Sequence, residues 1–180
     1  MADTRRTLAA IQALLADNTA GDISPQDLRD AIVSASQEFG ALYVSTAAAT
    51  TITGAGTPTK ASGTTTSVGA SDGMTVAATN RITYTEAPTI SALVLFMASL
   101  TCSLSNQSLG VSIAKNGTQI ASTPMDAKIG TGTSEILIST FSVVSLAQNN
   151  YVEMFIQNNT SGSGTVTLHH GKLFVVSLFV

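Results

Sequence analysis

The chain has 180 residues, 44% of them hydrophobic, 11% charged and 5% aromatic, with a mean hydropathy of +0.31. Soluble domains carry about 25% charged residues, so this chain is strongly charge-poor, and its hydrophobic content excludes charge-driven disorder. A net charge of −3 with only 8 Lys and Arg argues against a nucleic-acid partner.

The polar surface is built instead from 26 Thr and 21 Ser. Thr favours strands, because its branched side chain fits a pleated surface. The charges cluster: residues 1–40 hold 9 of the 19 charged residues and residues 87–180 only 6. This predicts a charged helical head end and a nearly neutral β body, whose neutral faces are expected to be buried by obligate self-association.

Leu8, Ile11 and Leu15 recur at helical spacing and predict a first short helix. Arg5 and Arg6 precede this apolar patch as in a signal peptide, but Asp3, Asp17 and the helical period argue against one. A second helix is expected from Pro25, with Ser24 as N-cap, Asp27 at the third position, Leu28 and Ile32 on its apolar face, and Gly40 as the stop. Two helices this short need something to dock on. Residues 45–73 are almost entirely Ser, Thr, Ala and Gly and read as a linker or extended arm.

From Met74 onward the signals are strands. Met74–Thr79, Arg81–Thr85 and the long Thr89–Ser105 come first; Thr89–Ser105 is long enough for a bend or two strands. Leu109–Lys115 and Thr118–Ser122 flank Asn116-Gly117, a strong hairpin signal. Ser134–Leu146, Tyr151–Gln157, Gly164–His169 and Lys172–Val180 complete the series. Tyr151–Gln157 is apolar on both faces, as a strand covered on two sides is. Eight or nine strands with turns between them predict a two-sheet β-sandwich, a jelly roll. In the last strand Phe174, Val176, Leu178 and Val180 face one way, and Leu173, Val175, Ser177 and Phe179 the other. One face is expected in the sandwich and the other at a subunit axis.

Candidate chemistry is sparse. His169 and His170 adjoin and are expected on opposite faces, so one of them could meet its copies on a threefold axis and hold a metal; ordinary polar residues before Gly171 are the better reading. Asp17, Thr19, Gly21 and Asp22 suggest a calcium loop, but Asp22 stands where Gly is required and Leu28 where Glu is required. Asp126, Glu135 and Glu153 have no spacing that marks a paired-carboxylate site. Cys102 lies in an apolar strand, is read as buried and inert, and as the one cysteine forms no intrachain disulfide. Asn106, Asn116, Asn158 and Asn159 begin Asn-x-Ser/Thr triplets, which chance explains in so Ser- and Thr-rich a chain. Those residues with Gln107 and Gln157 offer neutral hydrogen bonds to a sugar, though turn formation is the simpler account. No run reaches about 18 apolar residues, so no membrane span is expected.

The stretches RITYTEAPTISALVLFMASLT, VSIAKNGTQIAS, SLAQNNYVEMFIQNNT and LFVVSLFV resemble the trimeric TNF/C1q-like jelly rolls of tailed-bacteriophage virion proteins. Separately, ADNTAGDISPQDLRDAIVSASQEFGALYV resembles a segment recurrent at the start of phage virion proteins. The resemblance implies a homotrimer on the outer surface of a particle, attached to other virion proteins through its helical end. The expected organisation is an attachment segment at 1–44, an arm at 45–73 and a jelly-roll knob at 74–180. The expected function is structural and non-enzymatic, without cofactor or metal: a capsid decoration protein or head fibre, possessing in addition an adhesive role toward a host surface glycan. A tail-fibre tip that recognises such a glycan, and a TNF/C1q-like soluble ligand, are the alternatives.

Overall fold

The structure is a computed structural model and describes residues 6, 10–11, 13, 24–34, 37–77, 79–130 and 134–178. Of the two expected helices the second is α1 (Pro25–Ser34), and Ala10, Ile11 and Ala13, the described residues of the first, are helical. Most of the first expected helix, with Leu8 and Leu15, lies outside the described residues, as do the Asp17–Asp22 loop and the terminal Phe179 and Val180. Ser24 caps α1: its hydroxyl accepts the Asp27 N–H at 3.1 Å, and the Asp27 carboxylate accepts the Ser24 hydroxyl and N–H at 2.6 and 3.0 Å. This reciprocal pairing satisfies backbone donors that have no partner inside the helix.

Twelve strands follow: β1 (Phe39–Thr51), β2 (Thr59–Lys60), β3 (Gly63–Ser67), β4 (Met74–Ala77), β5 (Arg81–Tyr84), β6 (Ile90–Cys102), β7 (Ser108–Lys115), β8 (Thr118–Gln119), β9 (Met125–Lys128), β10 (Ile136–Leu146), β11 (Tyr151–Asn158) and β12 (Thr165–Leu178). They form a five-stranded sheet in the order β10-β6-β12-β1-β3 and a seven-stranded sheet in the order β4-β5-β11-β7-β8, with β2 on β11 and β9 on β7. The pairing is nested: β1 with β12, β5 with β11, β6 with β10, and β7 with β8 and β9. Successive pairs alternate between the two sheets. A single antiparallel ribbon wound in this way is a jelly roll.

Alternation explains the core. Ala92, Val94, Phe96 and Leu100 of β6 point inward with Leu173 and Val175 of β12, and meet Val111, Ile113, Val152, Met154 and Ile156 of the other sheet. The Asn116-Gly117 hairpin forms with φ of 51° and 78°, the left-handed pair that matches strand twist. Ser177, the one polar residue on the inner face of β12, accepts the Glu38 N–H on its hydroxyl at 3.0 Å, and its own N–H reaches the Glu38 carbonyl at 2.8 Å.

Within the long Thr89–Ser105 stretch the structure has one uninterrupted strand, β6. Where two terminal strands are expected, at Gly164–His169 and Lys172–Val180, the described residues form one, β12, continuous across a register shift between Leu168 and His170. An extra residue at this bulge breaks strict alternation: His170 is opposite Ser99, while the His169 ring lies 2.8 Å from the Thr101 hydroxyl, the next outer-face residue of β6.

The largest correction concerns residues 45–73. Much of that stretch is strand rather than linker: β1 crosses the expected 44/45 boundary, and β2 and β3 lie beyond it. Phe39–Tyr43 and Ala48–Thr51 hydrogen-bond along β12, and β3 pairs in turn with β1. Backbone pairing holds these strands, and the buried side chains of Ile52, Ala61 and Thr65 close the core beneath them.

Candidate functional site

The outer face of the five-stranded sheet is the most distinctive surface of the molecule. Its cross-strand rows follow from the register. One row is Val143, Leu93, Val176 and Phe39; the next is Phe141, Leu95, Phe174 and Ala41; the next is Ser139, Met97, Lys172 and Tyr43. Leu137 is 83% exposed, Phe141 69% and Val143 58%, and Phe39, Tyr43, Met97, Phe174 and Leu178 are exposed beside them. Isolated exposed apolar residues are ordinary, but a contiguous face of them marks an interaction surface. Across all five strands Lys172 is the one Asp, Glu, Lys or Arg.

Strand β10 adds a second feature. It is eleven residues long, lies at the sheet edge and pairs only with β6 among the described strands. Edge strands usually carry charge, proline or a covering segment that blocks further pairing. The sequence ILISTFSVVSL has none of these within itself.

Toward the other end of the face, small side chains among large ones leave a groove of about 460 Å³. Ser99 lies in it, only 2% exposed, and its hydroxyl has no hydrogen-bond partner among the described residues. Leu137, Met97, Tyr43, His170 and Lys172 stand around it.

The structure places Phe174, Val176 and Leu178 together on this outer face, with β12 central in the sheet; Val180 lies outside the described residues. Leu28 and Ile32 of α1 are exposed rather than docked on the sandwich, while Asp30 of the same helix is buried and accepts Arg6 Nε at 3.0 Å and Gln26 Nε2 at 2.7 Å. Ile11 is half-buried, and Leu8 and Leu15 lie outside the described residues. Cys102 is buried. No group of three or more His, Cys, Asp or Glu able to hold a metal occurs among the described residues, and no helix among them is long and apolar enough to cross a membrane. Sequence reasoning missed the contribution of β10 to the face; the alternation Leu137, Ser139, Phe141, Val143 is the signal that reveals it.

No family model matches the chain, and no curated protein matches its sequence. Among solved structures it is similar to Eiger TNF from S. frugiperda, at 13% identity and a TM-score of 0.47 over 78% of this chain and 93% of that one. It is also similar to murine APRIL at pH 8.5, at 12% identity and 0.45 over 79% and 100%, and at pH 5.0, at 13% and 0.44 over 78% and 99%. The nested strand order, not these likenesses, makes the fold a jelly roll.

Proposed function

We propose that the protein is a structural, non-enzymatic surface component of a phage particle, a homotrimeric capsid decoration protein or head fibre held by its N-terminal segment. The observation that carries self-association is the apolar outer face of the five-stranded sheet. Burying a side chain such as Phe141 or Val143 contributes about 1.5–3 kcal/mol, and the face holds several. A second copy suits this face because it carries almost no charge for a different partner to read. It also joins an open edge, β10, to an open centre, β12. The edge of one copy laid on the centre of the next is a head-to-tail contact, and such contacts form a ring when the rotation between copies closes. Three copies, the particle and the attachment role come from the sequence resemblance; the exposed Leu28 and Ile32 of α1 supply an unpartnered apolar stripe suited to attachment.

Light scattering is expected to give the mass of three 18.4 kDa chains. Phe141→Asp with Phe174→Asp is expected to give folded monomers. A wild-type chain that is monomeric at working concentration overturns the trimer. Immunogold labelling is expected on particle heads; label confined to tail tips would replace decoration with the tail-fibre reading.

A further inference from the structure

We propose that the groove around Ser99 binds a small amphipathic acid, a short alkyl or aryl carboxylate, one per chain. Its volume of about 460 Å³ lies within the range of small-molecule pockets, about 300–1,000 Å³. Its walls are apolar at Leu137 and Met97 and at the ring of Tyr43. The polar groups among these walls include the Ser139 and Tyr43 hydroxyls and the His170 ring, and two donors, Ser99 and Lys172, suit a carboxylate. The Ser99 hydroxyl is buried without a partner among the described residues, a state that ordinarily costs free energy unless a ligand or water completes it. Lys172 is the one formal charge of the sheet, and no carboxylate of the described residues forms an ion pair with it.

The register brings the two donors together. Ser99 is opposite His170, and Lys172 follows two residues along the same strand, so Ser99 and Lys172 are diagonal neighbours on one face. Diagonal positions are about 7–8 Å apart, within reach of a long side chain. A carboxylate offers two acceptor oxygens and no donor, so one oxygen takes the hydroxyl and the other the ammonium. The apolar body then lies on Met97 and Leu137. A phosphate monoester fits less well, because it brings about two charges to a single ammonium in an apolar setting. The groove occupies the Ser99 and Met97 rows, and the Phe141, Val143, Phe174 and Leu178 rows carry copy–copy contact, so this inference does not rest on the trimer.

Octanoate titrated into the full chain by calorimetry is the test, with octan-1-ol as the uncharged control and the Met97 methyl NMR signal as the locator. Saturable octanoate binding is expected, with a shift of the Met97 methyl and much weaker binding of octan-1-ol. Lys172→Met is expected to weaken octanoate about tenfold and Ser99→Ala about fivefold, as the loss of a charged and of a neutral hydrogen bond would. Absent saturation, equal binding of octan-1-ol, an unmoved Met97 methyl, or unchanged affinity in both variants overturns the proposal. Light scattering on the same samples keeps the outcomes separate: a trimer without octanoate binding removes the groove site alone, and a binding monomer removes the trimer alone.

Discussion

On the outer face of the seven-stranded sheet, Lys60 Nζ donates to the Glu153 carboxylate, and the Arg81 guanidinium lies 4.6 Å from the centre of the Tyr151 ring. Beside them Gln119 donates to the Ser112 hydroxyl at 2.8 Å and to Gln157 at 3.2 Å, and Gln157 donates to Asn159 at 2.7 Å. On the outer face of the five-stranded sheet, Leu137, Phe141, Val143 and Phe174 stand exposed over a chain of neutral residues. Both sheets contribute strands to one core. The first face pairs most of its polar groups within itself. The second has little that water can satisfy, the character of a surface that meets another protein surface. On the proposed assembly, folding and association use different rows of the same strands.

Adjacent residues of β12 give the sharpest way to break that comparison. Val175→Asp places a carboxylate in the sealed core, where an unpaired charge costs several kcal/mol, and the chain is expected to lose its cooperative melt. Val176→Asp puts the same group on the outer face, and a folded monomer is expected, with the circular-dichroism spectrum kept and the trimer mass lost. If both variants unfold alike, the outer face belongs to the fold and not to the assembly.

A smaller effect is expected on the other sheet. Glu153 is only 4% exposed and bonds to the half-exposed Lys60. Glu153→Gln keeps the shape and removes the charge, so a loss of about 1–2 kcal/mol is expected with the assembly mass unchanged. Denaturant titration measures it, and a change of mass in this variant would contradict the division between the two faces.

The smallest effect lies outside both sheets. The Ser24 hydroxyl, and after it the Ser24 N–H, hold the Asp27 carboxyl below its ordinary value of 3.8. A carboxyl lowered in the folded chain stabilises it above the unfolded value, and that contribution fades as the pH falls through the folded value. An NMR titration is expected to place Asp27 below 3.8, and Ser24→Ala to return it toward that value. The melting temperature of the sandwich is expected to be indifferent to Ser24→Ala, because α1 does not cover the core.

Much of this was readable from residues alone where side chains carry the signal. Tyr151–Asn158 is buried along nearly its whole length, as its two apolar faces require, and Asn116-Gly117 forms the expected turn. The reading failed where the backbone carries the structure. Residues such as Ala47, Ala48 and Ala49 of β1 have side chains too small to show a period, and the strand is held by its ladder with β12, a partner more than a hundred residues away. Composition cannot distinguish such a strand from a linker. Ser99 was equally invisible, because its burial arises from the neighbours that the register places around it.

Pairing β1 against β12 gives the knob a polarity. Phe39 is opposite Val176, so the chain enters and leaves the sandwich at one pole. The turns after β6 and β11 and the stretch after β1 gather at the other pole, where Gly56 N–H bonds to the Asn158 carbonyl at 2.8 Å and Ser103 N–H to the Thr165 carbonyl at 3.0 Å. Truncation must consequently stop at Gln37; a chain begun at Met74 would lack β1 and β3 and the core residues Leu42 and Val44. On the proposed attachment through the N-terminal segment, the Ser-, Asn- and Gly-rich pole faces away from the tether. A peptide inserted between Asn159 and Gly164 would then be displayed at the pole far from Phe39, whereas one fused beyond Leu178 would emerge at the pole that holds Phe39.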